Sequence, residues 1–130
     1  MRVVPTLLGY DPRMQLIHEE DAVSALLHAI GHDTPGNFNI AAEGQLYLSR
    51  ILRLGRRVPN PLLPPQYRAA IRALRTLGRR YPGRLEAYLK YGRVMDTTRM
   101  AGSFGWAPHL TARQAVLAMY ERVEAPGATR

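Results

Sequence analysis

The stretch Met14-Gln15-Leu16-Ile17-His18-Glu19-Glu20-Asp21-Ala22 decides how the chain is read. Its first half, Met14–His18, reads as a short strand or extended run. Glu19, Glu20 and Asp21 then place three acids where a helix begins, favourable at the positive end of the helix dipole. Ala22, Val23, Leu26, Leu27 and Ile30 recur at helical spacing and predict an apolar face, expected to be partly exposed where no partner lobe covers it. Gly31 is a natural stop. Upstream, Leu7–Tyr10 is expected as a short companion strand, and Asp11-Pro12-Arg13 is turn chemistry. Downstream, Asn37-Phe38-Asn39-Ile40-Ala41 alternates polar and apolar and predicts a strand.

Further along, Ser49 is the expected N-cap of a short helix through Ile51, Leu52 and Leu54, closed by Gly55. The prolines of Val58–Pro65 lack ladder donors, so that segment is expected as an extended connector and not a central strand. A helix from about Pro65 to Arg79 follows, with Tyr67, Ile71, Leu74 and Leu77 inward. Leu85, Tyr88 and Leu89 predict another short helix, closed at Gly92. Asp96 or Thr97 caps a turn over Thr98–Ser103. Thr111 opens a final helix with Val116, Leu117, Tyr120 and Val123 inward, and residues 124–130 are a frayed tail.

The chain has 130 residues, a net charge of +8 and no cysteine. The last fact excludes a disulfide framework, a thiolate nucleophile and any Cys-ligated metal. No apolar run approaches the roughly 20 residues that span a bilayer. Met1–Pro5 is too short and mixed for a signal peptide, so a cytoplasmic chain with no membrane partner is expected. Charge is unevenly spread. Residues 1–49 hold two Arg and six acids, net −4. Residues 50–99 hold twelve Arg, Lys90 and two acids, net +11. Such a block suits an anionic partner, although a bias towards Arg, which supplies 17 of the 18 basic residues, produces the same excess.

Arg68, Arg72, Arg75 and Arg79 fall on one helical face and form a candidate polyanion patch. Tyr67, Tyr81, Tyr88 and Tyr91 lie near, but no nucleic-acid motif surrounds them, so a solvated face is the preferred reading over nucleic acid. His28 and His32 have the spacing of two ligands on one helix, but no third ligand is placed by a motif, so no metal is assigned. Ser24, Ser49 and Ser103 lie in no nucleophile elbow. No catalytic residue emerges.

The order of the segments carries more. It runs Gln15–Ala22, an Ala-rich helix, Asn37–Ala41, Leu48-Ser49, Asp96-Thr97-Thr98-Arg99, Phe104-Gly105-Trp106-Ala107-Pro108 and a closing helix. This resembles the C-terminal part of the NAD-dependent epimerase/dehydratase family, the extended short-chain dehydrogenases, over about residues 5–123. Residues 58–93 match least. The resemblance implies an α+β, helix-rich substrate-side lobe over residues 1–123, with two or three short strands and no complete dinucleotide-binding fold. It implies a nucleotide-sugar ligand, NAD(P) as the family's cofactor and a separate dinucleotide-binding lobe or subunit as partner. The family's G-x-x-G-x-x-G run is absent. So is its Tyr-x-x-x-Lys pair: the only lysine is Lys90, and Glu86 stands four residues before it. The chain alone is therefore expected to bind no cofactor and to be incompetent in catalysis. Arg13 and Arg93 are the candidate contacts to a nucleotide diphosphate. The position that matches the family's arginine, four before His18, holds Met14, one residue past Arg13. His18 and Asp21 match the family pattern in a structural role, orienting the strand–helix junction.

Overall fold

In the computed structural model the described residues are 2–78 and 91–124. They form a small mixed α/β chain with five helices and four short strands. It divides into two compact units. Unit 1 comprises residues 1–13 and 47–93, and unit 2 residues 14–46 and 94–130. The chain passes from one unit to the other after residues 13, 46 and 93; the two-residue strands β2 (Arg13–Met14) and β3 (Leu46–Tyr47) pair with each other.

Unit 1 is built on a parallel pair, β1 (Arg2–Leu7) and β4 (Arg57–Leu62), with Arg2 opposite Arg57 and Leu7 opposite Leu62. The expected strand at Leu7–Tyr10 therefore lies earlier, and the expected connector at Val58–Pro65 is a ladder strand over most of its length. Leu8 N donates to Leu62 O at 2.8 Å, which fixes the register. Backbone groups alternate along a strand. Thr6 and Leu8 of the first segment and Val58, Asn60 and Leu62 of β4 thus face the partner. Pro5, Pro59 and Pro61 all face outward, where a missing N–H costs no ladder bond. Outward prolines also blunt both edges against further pairing.

Helix α2 (Leu48–Leu54) packs on β4, and α3 (Pro64–Thr76) packs on β1. Tyr47, not Ser49, is the N-cap of α2. Ser49 lies in the first turn, where its N–H (2.9 Å) and hydroxyl (2.5 Å) both donate to the Asp11 carboxylate. The cap is supplied from outside the helix. Ile51, Leu52, Tyr67 and Ile71 are buried as their periodicity requires, but Leu77 lies past the end of α3 and is 76% exposed. The expected helix at Leu85–Leu89, Arg79 and the tail 125–130 lie outside the described residues.

Unit 2 opens with α1 (Glu19–Gly31), capped by His18, whose Nδ1 accepts from Glu20 N at 3.3 Å. A one-turn helix α4 (Thr98–Ala101) and the last helix α5 (Ala112–Glu124) complete it. Thr111 and Gln114 form a reciprocal capping box at the start of α5: Gln114 N donates to Thr111 Oγ1, and Thr111 N to Gln114 Oε1. Val116 and Tyr120 are buried and Val123 is exposed. The predicted strand Asn37–Ala41 forms no ladder. Phe38 and Ile40 do point into the core while Asn37 and Asn39 are exposed, so the alternation is real. Its backbone finds no strand partner, and the adjoining Ala42 N makes a single bond to Leu16 O.

Candidate functional site

Unit 2 brings together segments far apart in sequence around one carboxylate. Asp21 is 2% exposed. Its Oδ1 accepts from His109 N at 3.0 Å and from His109 Nδ1 at 2.9 Å, and its Oδ2 accepts from Leu110 N at 3.0 Å. Burial by itself would raise the pKa of this group. The two backbone amides and the imidazole outweigh burial and hold it below the ordinary carboxylate value. One turn on, Ser24 Oγ accepts from Trp106 Nε1 at 3.2 Å. Asp21 and Ser24 thus both pin helix α1 to the Phe104–Leu110 segment.

The remaining conspicuous segments join the same cluster. Ala25, Met100, Phe104 and Trp106 are buried together, with Ile17, Phe38 and Ile40 packed against them. Phe38 stacks on Phe104 with ring centres 4.7 Å apart, and the Arg99 guanidinium lies 5.2 Å above the Phe38 ring. Asn39 Nδ2 donates to Asp96 O at 2.9 Å. The Asp96 carboxylate receives the Thr98 hydroxyl and amide, which lower its pKa. His28 Nε2 donates to Phe104 O at 2.9 Å, and His32 Nδ1 to His28 O at 3.0 Å, with the two rings stacked. Both histidines are therefore engaged with backbone carbonyls. No group of three metal-ligating side chains occurs among the described residues.

Unit 1 holds the candidate ligand contacts. Arg13 and Arg93 are 80 positions apart in sequence but neighbours in space. Gly92, at φ +66°, packs so tightly on Arg13 that an added Cβ would stand 2.2 Å from Arg13 O. Both arginines are exposed. Beside them Tyr10 donates its hydroxyl to Tyr91 O at 2.9 Å, and the two rings meet edge to face. Tyr10 also lines a cleft of about 480 Å³ together with Thr6, Gly9, Asp11, Ser49 and Arg53. The cleft, missed in the sequence reading, offers an aromatic face, one guanidinium and a hydrogen-bonded carboxylate.

Charge follows the units more sharply than it follows the sequence. Unit 1 holds thirteen Arg, Lys90 and two acids, net +12, whereas unit 2 holds four Arg and eight acids, net −4. Among the described residues no carboxylate forms an ion pair with Arg13, Arg53, Arg68, Arg72 or Arg93. Of the proposed polyanion stripe, Arg68 and Arg72 are exposed on α3. The Arg75 side chain and Arg79 lie outside the described residues.

A pyrophosphate needs free N–H groups at a strand-to-helix turn. The turn from β4 into α3 runs Leu62-Leu63-Pro64-Pro65, in which two successive residues carry no N–H. No helix of the described residues is long and apolar enough to cross a membrane.

No family model matches the chain. No solved structure matches it. Curated relatives from Mycobacterium tuberculosis and Mycobacterium bovis, each described only as an uncharacterized protein, are 43% identical over 116 residues, 87% of this chain. The chain spans 30% of their length, so most of each relative lies outside the match.

Proposed function

We propose that the chain is the substrate-side lobe of an NAD-dependent nucleotide-sugar epimerase or dehydratase, and that its own task is to hold the nucleotide diphosphate. The observation that carries this reading is the convergence in unit 2. Of the segments that resemble that family's order, Gln15–Ala22, Asn37–Ala41 and Phe104–Pro108 pack in one cluster with Trp106, and Asp96–Arg99 holds Asn39 and covers the Phe38 ring. In unit 1, Arg13 and Arg93 supply two planar guanidinium forks suited to phosphate oxygens. The Tyr10 ring supplies a stacking face for a base. The nicotinamide cofactor, and the acid–base pair that would use it, belong to the other lobe.

Calorimetric titration with UDP, UDP-glucose and NAD tests this. UDP and UDP-glucose are expected to bind the chain weakly, with Kd on the order of 0.1–1 mM, about −5 kcal/mol. Arg13→Ala and Arg93→Ala should each weaken that binding about tenfold, the loss of a charged hydrogen bond. NAD is expected not to bind. NAD affinity tighter than roughly 10 µM, or UDP binding indifferent to both arginines, overturns the reading.

A second reading rests on the charge separation alone: unit 1 as a general polyanion surface. It requires that DNA bind at about 50 mM salt with affinity falling steeply as salt rises. It also requires that replacing Arg68, Arg72, Arg75 and Arg79 by Gln abolish binding. Failure at either step removes it.

A further inference from the structure

The cleft of unit 1 holds two opposite charges that do not meet. Asp11 and Arg53 both line it, yet they form no ion pair with each other, and Arg53 pairs with no other carboxylate among the described residues. The Asp11 carboxylate is held in place by one residue: Oδ1 accepts from Ser49 N at 2.9 Å and Oδ2 from the Ser49 hydroxyl at 2.5 Å. A carboxylate has about four acceptor positions, so each oxygen keeps one for a further donor. Ser49 gives its hydroxyl proton to Asp11, and its oxygen remains an acceptor. Ser49 and Arg53 are four residues apart on α2 and so share one face of the helix. Thr6 adds a second hydroxyl. The other walls include Leu7, Tyr10, Leu48, Pro59 and Pro61, none of them charged. The volume of about 480 Å³ lies in the range of small-molecule sites.

We infer that this cleft binds a free monosaccharide bearing one anionic group, a hexose phosphate or a hexuronate. Neighbouring sugar hydroxyls donate to the two Asp11 oxygens, and the Ser49 and Thr6 oxygens accept from others. The C–H faces of a pyranose are apolar and lie against the Tyr10 ring and the prolines, which stand two apart on one side of β4. The Arg53 guanidinium forks onto the phosphate or carboxylate oxygens. Unit 1 carries a net charge of +12, so it favours a ligand of net negative charge over a neutral sugar. A zwitterionic amino acid is the competing ligand, since it too would bridge Asp11 and Arg53. It gains nothing from the net charge of the unit and leaves both hydroxyls unused. The cleft shares only Tyr10 with the contacts proposed for UDP, so this inference does not depend on that reading.

The test is a titration of the chain, followed by amide NMR shifts, with glucose 6-phosphate, glucuronate, glucose, inorganic phosphate and leucine. At least one of the two anionic sugars is expected to bind with Kd on the order of 1 mM, and the tighter of them identifies the anion. Glucose, phosphate and leucine should each bind about tenfold more weakly or not at all. The shifts should centre on Gly9, Ser49 and Arg53. Arg53 is exposed, so Arg53→Gln is expected to fold as the native chain does. It should abolish the preference for the anionic sugar over glucose. Asp11→Asn should weaken sugar binding about tenfold. Because Asp11 also caps α2, Thr6→Val serves as a second variant that leaves the cap alone, and it should weaken the same binding about threefold. Anionic sugars that bind more weakly than about 10 mM, phosphate or leucine that binds as tightly as they do, or indifference to Arg53→Gln overturns the inference. So does binding that survives Arg53→Gln but is lost in Arg13→Ala or Arg93→Ala. Sugar binding that depends on Arg53 in a chain that ignores UDP keeps the cleft and defeats only the nucleotide reading.

Discussion

Replacing Asp21 by Ala is expected to destabilise unit 2 by about 3 kcal/mol or more, because it strands two amide N–H groups that have no alternative acceptor. For a body of this size that corresponds to a fall in Tm of roughly 15 °C. Trp106, the only tryptophan in the chain, reports the change directly, since its indole N–H is held by Ser24 one turn from Asp21. Asp21→Asn should recover part of the loss. An amide oxygen can replace one carboxylate oxygen, but its NH₂ then faces an N–H where Oδ2 had accepted from Leu110. The pH dependence has a defined sign. The folded-state pKa of Asp21 lies below its ordinary value of 3.8. The carboxylate therefore contributes stability fully above that value and loses it as pH falls through the folded pKa. The native chain should weaken between about pH 4 and lower values, and that component of the slope should vanish in Asp21→Ala. A thermal shift of less than about 3 °C in Asp21→Ala would mean that the junction does not organise the unit.

The same helix shows what periodicity can and cannot deliver. The extent of α1 is legible: three acids at its start, a Gly at its end and apolar residues at helical spacing. Its orientation is not. Periodicity assumes that the apolar face turns inward, and here the inward face holds Asp21, Ser24, Ala25 and His28. Those polar groups are tolerable inside because each hydrogen-bonds to the Phe104–Leu110 segment, about 80 residues away, and no local pattern can announce such partners. The large aliphatic residues Val23, Leu26, Leu27 and Ile30 are left exposed instead. β4 is the converse case. Its prolines argue against a central strand, and correctly so, but in a two-stranded sheet every strand is an edge. Prolines spaced two apart then fall on the one side where they do no harm. Of the candidate ligand contacts, the guanidinium chemistry of Arg13 and Arg93 is readable from sequence. Their adjacency depends on a glycine packing against a backbone 79 positions away, which it does not announce.

That glycine supplies the second large expected effect. Gly92 has φ +66°, a left-handed conformation that costs an L-residue about 1–2 kcal/mol. A Cβ at this position would also meet Arg13 O at 2.2 Å, Arg13 N at 3.0 Å and Pro12 Cβ at 3.0 Å. The two closest atoms are backbone and cannot rotate away as the tip of a long side chain can. Gly92→Ala must therefore push the two segments apart, and a loss of about 3 kcal/mol or more in urea unfolding is expected. Gly78→Ala separates strain from collision. Gly78 has φ +70° in the same unit, yet a Cβ there meets nothing within 4 Å, so only the conformational cost of about 1–2 kcal/mol applies. The functional consequence is equally specific. Gly92→Ala leaves both guanidinium groups in the chain but displaces Arg13 from Arg93. At temperatures where the variant remains folded, its affinity for UDP should fall about tenfold, as it does when either arginine is removed. Gly78→Ala should bind UDP as the native chain does. If Gly92→Ala costs no more stability than Gly78→Ala and binds UDP unchanged, the two arginines do not form one site.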